Sequence, residues 1–457
     1  MSNFPNVEHR TLLTLNFSNI ELFNLFKRIN MVSNELIKSI IIENENFIIG
    51  QIKGVVPREG IALPSENLKK VVVFHGVRRS GKSFILYDLF RKNRGRSLYI
   101  DFEDERLSNI KIEEIDRIRE AFFELKPHLL SQNNVVFLFD EIQNIGLWER
   151  FVRRLVEKEG ISVYCAGSSS EITPRRIHSS LRGRVWSLEV FPFSFREFLV
   201  SKGYDLSREK LFYGSGKVYT KNCFGEYLKF GGFPEVTFSP TEFDKRKVLK
   251  EYLNAMFFRD IVERFKVRNI VLLDALWDKL FSSFSTRFSL TAFYKQYKGR
   301  FSFSKDSLYA YYKYFLESML IFEVKKFAES TYKRMRNPVK VYLIDVGLSR
   351  RVSSMDYGRL LENAVFIELR RKGYEVFYFQ ERYECDFIVK SDDRFMVFQV
   401  TWKLDEDNKE RELGGVIEAA KRFNLKEAVV VTFDNEEIKE IDGITVIIKP
   451  FWKWSVE

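Results

Sequence analysis

The chain has 457 residues, 45% of them hydrophobic and 30% charged, and a net charge of +11. That length allows two or three soluble domains with buried cores, and the basic balance favours an anionic partner such as nucleic acid. The three cysteines (Cys165, Cys223, Cys385) lie far apart and the four histidines are scattered. This argues against a disulfide framework or a zinc site, and with no membrane-length apolar run and no signal-peptide core it leads us to expect a cytoplasmic protein.

Residues 1–55 read as a leader with a helical piece in "SNIELFNLFKRINMVSNELIKSIIIENE". "VPREGIALPSENLKK" is a Pro- and Gly-punctuated link. Five apolar, β-rich runs follow at 71–77, 97–102, 135–140, 162–167 and 185–190, separated by helical segments. Such alternation predicts a parallel sheet covered on both faces, over 56–195. Residues 196–268 are charged, aromatic and mostly helical, and 269–337 combine short helices with a β piece. From 338 to 457 the pattern returns to α/β, with strands in "YEVFYFQ", "CDFIVK", "FMVFQVTW", "EAVVVTF" and "ITVIIKPF".

The first strand runs into "GVRRSGKS", which has the spacing G-x-x-x-x-G-K-S over Gly76, Val77, Arg78, Arg79, Ser80, Gly81, Lys82 and Ser83. Gly76 permits the turn and Gly81 lets backbone N–H groups approach phosphates. Lys82 offers a charge to the β and γ oxygens of ATP, and Ser83 a hydroxyl to Mg²⁺. "VVFLFDEIQ" places Asp140 and Glu141 at the end of another buried strand, Asp140 for the Mg²⁺ shell and Glu141 to polarise the attacking water. In "AGSSS", Ser168 or Ser169 either bonds the γ-phosphate or water or makes an ordinary turn. Arg182 and Arg184 in "SSLRGRVW" are either surface charge or arginine fingers for a neighbouring subunit, which would require a homo-oligomer.

These stretches, with "YIDFEDERL", "LRGRVWSLEVFPFSFREFL", "YLKFGGFPEV", "KVYLIDVGL" and "LLENAVFIELRRKGYEVFYFQERYECDFIV", resemble a large archaeal and bacterial family of AAA+-type P-loop ATPases. The likeness covers about residues 40–455. It implies an α/β fold with an ATPase core, a helical lid (196–268), a winged helix-turn-helix (269–337) and a restriction-endonuclease-like domain (338–457). In the winged-helix reading, Ser304, Lys305, Ser307, Tyr311 and Lys313 lie on or near a recognition helix. Lys325, Lys326, Lys333, Arg334 and Arg336 add a basic run. That region binds either DNA or a protein partner. The tail resembles the PD-(D/E)xK nuclease arrangement, with Glu362 on a helix, Asp386 on a strand and Gln399 on the next. It departs by having Gln399 for an acid and Thr401 for the lysine. Lys403, expected on the same strand face, and Lys390 are the candidate substitutes. A degenerate binding domain is favoured over a working nuclease.

Overall fold

Five apolar runs bounded by glycine-containing or polar turns form β1 (Val71–Gly76), β2 (Ser97–Asp101), β3 (Val136–Asp140), β4 (Ser162–Ser168) and β5 (Val185–Glu189). They pair in the order β2-β3-β4-β1-β5, all parallel. The computed structural model describes residues 32–457 except 52–54, 66, 67, 133, 169–171, 173–176, 178, 301, 329, 331–336, 352–355 and 393. β1 and β3 are buried at every position, which is why they read as continuous apolar runs. Helices Asn34–Gln51, Asp116–Leu125 and Trp148–Lys158 cover one face, and Lys82–Lys92 covers the other. The described part of the expected leader therefore belongs to the core, with Ile37, Ile40 and Ile41 packed into it. The rest of that leader lies outside the described residues.

Residues 195–263 are helical as expected: Phe195–Ser201, Arg208–Phe212, Gly214–Phe230, Pro234–Phe238 and Glu242–Ala255, continuing into π-helical turns over Met256–Glu263. The first starts at a capping box in which Ser194 accepts from the Glu197 N–H and the Glu197 carboxylate accepts from the Ser194 N–H.

The next unit runs helix Ile270–Ser282, β6 (Thr286–Phe288), helices Leu290–Tyr297 and Lys305–Glu317, β7 (Ile321–Lys326) and β8 (Val339–Leu343). β8 pairs antiparallel with both β6 and β7. A boundary between 337 and 338 would thus cut a hairpin. The sheet also continues, because β7 pairs in parallel with β9 (Glu375–Gln380). β10 (Glu384–Ser391), β11 (Arg394–Val400), β12 (Glu427–Thr432), β13 (Glu437–Ile441) and β14 (Ile444–Pro450) complete nine strands in the order β13-β14-β12-β11-β10-β9-β7-β8-β6. β13 was not read from the sequence. One hydrophobic core runs from Phe191 through the helical region to Val456. Among the described residues no helix is long and apolar enough to cross a membrane, and all three cysteines are buried and unpaired.

A single carboxylate clasps these units. Asp345, just after β8, accepts the N–H groups of Gly232 and Gly347, each at 2.8 Å. Gly231 has φ of 77°, and a Cβ there would lie 1.7 Å from the Asp345 carboxylate, so only glycine fits. Burial pushes the Asp345 carboxyl up to about 6, against the two N–H bonds. Asp345→Ala strands both buried N–H groups, and we predict a loss of about 2 kcal/mol or more in chemical denaturation. Asp345→Asn, which keeps one acceptor oxygen, should lose less. Equal stability of Asp345→Ala and wild type contradicts the clasp.

Candidate functional site

The ends of adjacent parallel strands gather the residues singled out in the sequence. Gly76 ends β1, Ser168 ends β4 directly beside it in register, and Asp140 ends β3. Ser168 is buried, and Ser169 lies outside the described residues. Asp140 is buried and accepts from the Tyr99 hydroxyl at 3.1 Å. Burial, then the charge of Glu141, pushes its carboxyl up to about 6, opposed by a hydrogen bond from Ser83. Ser83 and Asp140, read separately as Mg²⁺ ligands, thus lie close together. Glu141 sits in a left-handed turn after β3, with φ of 45°, and accepts from the Gln143 amide.

Between β1 and the helix Lys82–Lys92, Gly81 takes φ of 93° so that the chain can turn into the helix. Lys82 is buried and donates to the carbonyls of Gly76 (3.1 Å) and Val77 (3.0 Å). Burial lowers its pKa despite the nearby Glu141 and Asp140 charges. The buried Ser80 Oγ has no partner among the described residues. A desolvated ammonium held only by carbonyl dipoles, an orphaned hydroxyl and a helix N-terminus form a cradle suited to phosphate oxygens. Ser83 and Asp140 supply hard oxygens suited to Mg²⁺ beside it. Arg78 and Arg79 turn outward from the loop. Arg78 donates twice to Asp260 in the π-helical turns, at 3.3 Å each, and Arg79 stacks over the Tyr252 ring at 5.7 Å.

Arg182 and Arg184 stand elsewhere. They precede β5, at the opposite end of the sheet, where the Arg184 carbonyl accepts from the Val71 N–H. Five strand residues, about 16 Å, separate that edge from the phosphate loop. Both are exposed, and Arg184 pairs with Glu157 at 3.1 Å. Neither can reach its own chain's loop. Sequence reasoning missed Arg58, in the Pro/Gly link, which donates to the Ser80 carbonyl at 2.8 Å. It also missed Asp260, whose one signal was an acid on the apolar face of "MFFRDIVERF".

The tail holds a second cluster, beside a hollow of about 660 Å³ lined by Glu362, Asp386, Gln399, Trp402 and Glu412. Asp386 accepts from the Val400 N–H at 3.0 Å. Gln399 accepts from the Asp386 N–H and donates to Glu412. The lysine at this site is neither Lys403 nor Lys390. β11 ends at Val400, so strand alternation stops, and Lys403 points into solvent beside Asp405. Instead Lys340 of β8 contacts Asp386 (2.7 Å), Glu384 (2.7 Å) and Glu362 (3.0 Å). Its neighbour on that face, Tyr342, donates to Glu362 at 2.6 Å. Burial alone would lower the Lys340 pKa, but Asp386 and Glu362 hold it well above its usual value. Burial, then Asp386, pushes Glu362 up to about 7. Among the described residues no group of three His, Cys, Asp or Glu side chains is arranged to hold a metal ion.

Tyr311, expected on a DNA-facing helix, is buried and accepts from the Asn269 N–H at 3.1 Å. Ser304 caps the helix Lys305–Glu317 by accepting from the Ser307 N–H. Lys305 and Lys313 are exposed, while Lys333, Arg334 and Arg336 lie outside the described residues.

A five-stranded parallel sheet with a phosphate loop after β1 and an acidic pair after β3 defines a P-loop protein of the AAA type. Residues 68–199 match the AAA domain family. Residues 222–358 and 357–452 match two domains of unknown function, DUF8612 and DUF4143. The uncharacterized protein MJ1544 of Methanocaldococcus jannaschii is 36% identical over 401 residues, 85% of this chain and 88% of that one. An uncharacterized protein of Haemophilus influenzae is 27% identical over 399 residues, 84% of this chain and 94% of that one. The chain belongs to the same family as MJ1544, and its residues 68–199 are an AAA domain. Among solved structures, Cdc6p of Pyrobaculum aerophilum is 12% identical with a TM-score of 0.24, over 66% of this chain and 90% of that one. PCH-2 of C. elegans is 11% identical with a TM-score of 0.22, over 49% and 69%.

Removing the Lys340 ammonium leaves Glu362 and Asp386 without a cation, while Glu384 keeps Arg287 as its partner, and we predict that Lys340→Ala costs about 3 kcal/mol or more at pH 8. Glu362 is raised in the fold, so its contribution is fully present below the unfolded carboxyl value and is lost as pH rises through about 7. The penalty in Lys340→Ala should therefore be smaller at pH 5 than at pH 8. An equal loss at both, measured by thermal unfolding, contradicts this reading of the cluster.

Proposed function

We propose that the chain is an ATP hydrolase that couples nucleotide turnover to DNA held by its helical and tail units. The observation that carries the ATPase reading is the buried Lys82, donating to the Gly76 and Val77 carbonyls in the turn after β1, with the buried Asp140 at the end of β3 in the same sheet. In this reading the loop's N–H groups and Lys82 bind the β and γ phosphates. Ser83 and Asp140 hold Mg²⁺, which would supply charge neutralisation at the phosphates. Glu141 accepts a proton from the attacking water, and Ser168 orients that water or the γ-phosphate. Lys82→Ala should abolish measurable ATP binding, whereas Glu141→Gln should keep binding and lose turnover. ATP binding by Lys82→Ala at wild-type affinity, in a calorimetric titration, contradicts the site.

Arg184 cannot reach its own chain's loop, and in this reading it acts as an arginine finger on the pocket of a second chain, which requires assembly. Mixing Arg184→Ala with Lys82→Ala subunits should restore part of the ATPase activity that each lacks. Full activity of Arg184→Ala alone excludes the finger.

DNA is favoured over a protein partner by the net charge of +11 and by the order helix, strand, two helices, hairpin over residues 270–343, which is that of a winged helix. Lys295, Lys298, Arg300, Lys305 and Lys313 are exposed on its two short helices and the turn between them. Turnover measured with and without duplex DNA at rising salt tests this. Stimulation that falls steeply with salt is expected, and none at low salt favours a protein partner.

The tail is read as a binding module, since Lys340 already neutralises its carboxylates. A second reading, Mg²⁺-dependent cutting, is favoured by one observation: Lys340 supplies the lysine that the strand pattern lacked. Cutting lost in both Asp386→Ala and Lys340→Ala supports that second reading, and no cutting by wild type supports binding.

A further inference from the structure

The "FPF" segment, Phe191–Phe193, runs between two buried arginines that come from opposite ends of the chain. Arg58, from the link before β1, donates to the Phe191 carbonyl at 2.6 Å and lies 5.2 Å over the Phe193 ring. Arg371, the last residue of the tail helix Tyr357–Arg371, donates to the Pro192 carbonyl at 2.9 Å and lies 5.1 Å over the Phe191 ring. Between them stands Glu197, 1% exposed, 2.9 Å from Arg58 and 3.9 Å from Arg371. Glu197 also accepts the N–H groups of Glu59 (2.7 Å) and Ser194 (2.8 Å). Burial would push its carboxyl up, but the two guanidiniums and these N–H groups hold it low.

Arg58 has one further bond, to the Ser80 carbonyl inside the phosphate loop, at 2.8 Å. The Ser80–Gly81 peptide is planar and trans, so its C=O and N–H point opposite ways. Holding the Ser80 oxygen on one side fixes the direction of the Gly81 N–H on the other. A Cβ on Gly81 would lie 3.1 Å from the Arg58 guanidinium, so the two groups are in close contact.

We infer that Arg58 is a positioning residue for the nucleotide, and that Arg371 completes its grip, so that phosphate binding depends on the docked tail. This rests on the ATPase reading. Arg58 is paired with Glu197, and Arg371 is the only tail residue among the described ones that bonds the Phe191–Phe193 backbone. Losing Arg371 leaves the Glu197 charge to Arg58 alone and frees the segment that Arg58 also holds. The tail helix carries Glu362 nine residues earlier, about 14 Å along its axis. It therefore spans from the phosphate loop's support to the tail hollow.

The test uses the full chain with Mg²⁺ and a fluorescent ATP analogue, alongside KM and kcat for ATP and the melting temperature. Arg58→Lys keeps the charge but gathers its donors on one nitrogen, which cannot span the Glu197, Ser80 and Phe191 oxygens held by three guanidinium nitrogens, and Arg371→Met is remote from the nucleotide. Each should weaken analogue binding about tenfold and raise KM more than it lowers kcat. The double variant should bind little worse than Arg58→Lys, because both changes act through one node. Lys421→Ala, a surface change at a pair with Asp442, should bind as wild type does. A purely structural role would lower the melting temperature with KM unchanged, and that result in both variants overturns the inference. Loss in Arg58→Lys but not in Arg371→Met overturns the dependence on the tail. A wild-type chain that binds no nucleotide overturns the ATPase reading itself, and this inference with it.

Discussion

The contact of Asp345 with Gly232 and Gly347 is the constraint on which the relative placement of the units depends. It joins the turn after the helix Gly214–Phe230 to the turn after β8, in a space that admits no side chain at Gly231. A carboxylate in apolar surroundings is costly unless its oxygens are occupied, and here each takes a backbone N–H. Around it one core continues from Phe191 of the FPF segment to Phe451, Trp452 and Val456, without the thin polar interface that separates freely moving domains. The chain behaves structurally as a parallel-sheet ATPase core fixed to a single larger body.

The nucleotide loop meets that body through Arg78 and Arg79 on one side and through Arg58 on the other. Arg78 reaches out to Asp260 in the π-helical turns, a geometry that often marks functional sites. Ser80 is held from behind by Arg58, within a buried ion cluster that includes Arg371 of the tail. Buried clusters of this kind add little net stability compared with apolar packing, but they fix geometry, because a misplaced member leaves a charge unpaired. A phosphate loop gains from such fixing, since its N–H groups must point at the ligand before it arrives.

Much of the ATPase core was legible in the sequence. Strands buried on both faces show as apolar runs, and all five observed strands fall within a residue of their expected limits at each end. Gly76 to Ser83, Asp140 and Ser168 were placed together by the rule that ligands gather at the carboxyl ends of parallel strands. What failed depended on contacts between distant segments. Lys403 was placed on a strand face that ends at Val400, while Lys340 lies 46 residues before Asp386 on a strand that crosses to it through the shared sheet. Arg58 sits in a link with no periodicity to betray its burial. Tyr311 looked available for DNA because aromatic residues on a half-buried helix carry no sign of which face they occupy. The expected boundaries at 55 and 337 pass through shared packing, since the helix Asn34–Gln51 joins the core of the parallel sheet and β8 pairs with β7.

The central claim is that nucleotide binding at the loop is mechanically tied to the tail. Amide hydrogen exchange on Glu141→Gln, with and without ATP and Mg²⁺, tests it most directly. The account predicts added protection in the phosphate loop, in the helix Phe195–Ser201 and in the helix Tyr357–Arg371 together. Protection confined to the loop, with the tail helix exchanging as before, would contradict it.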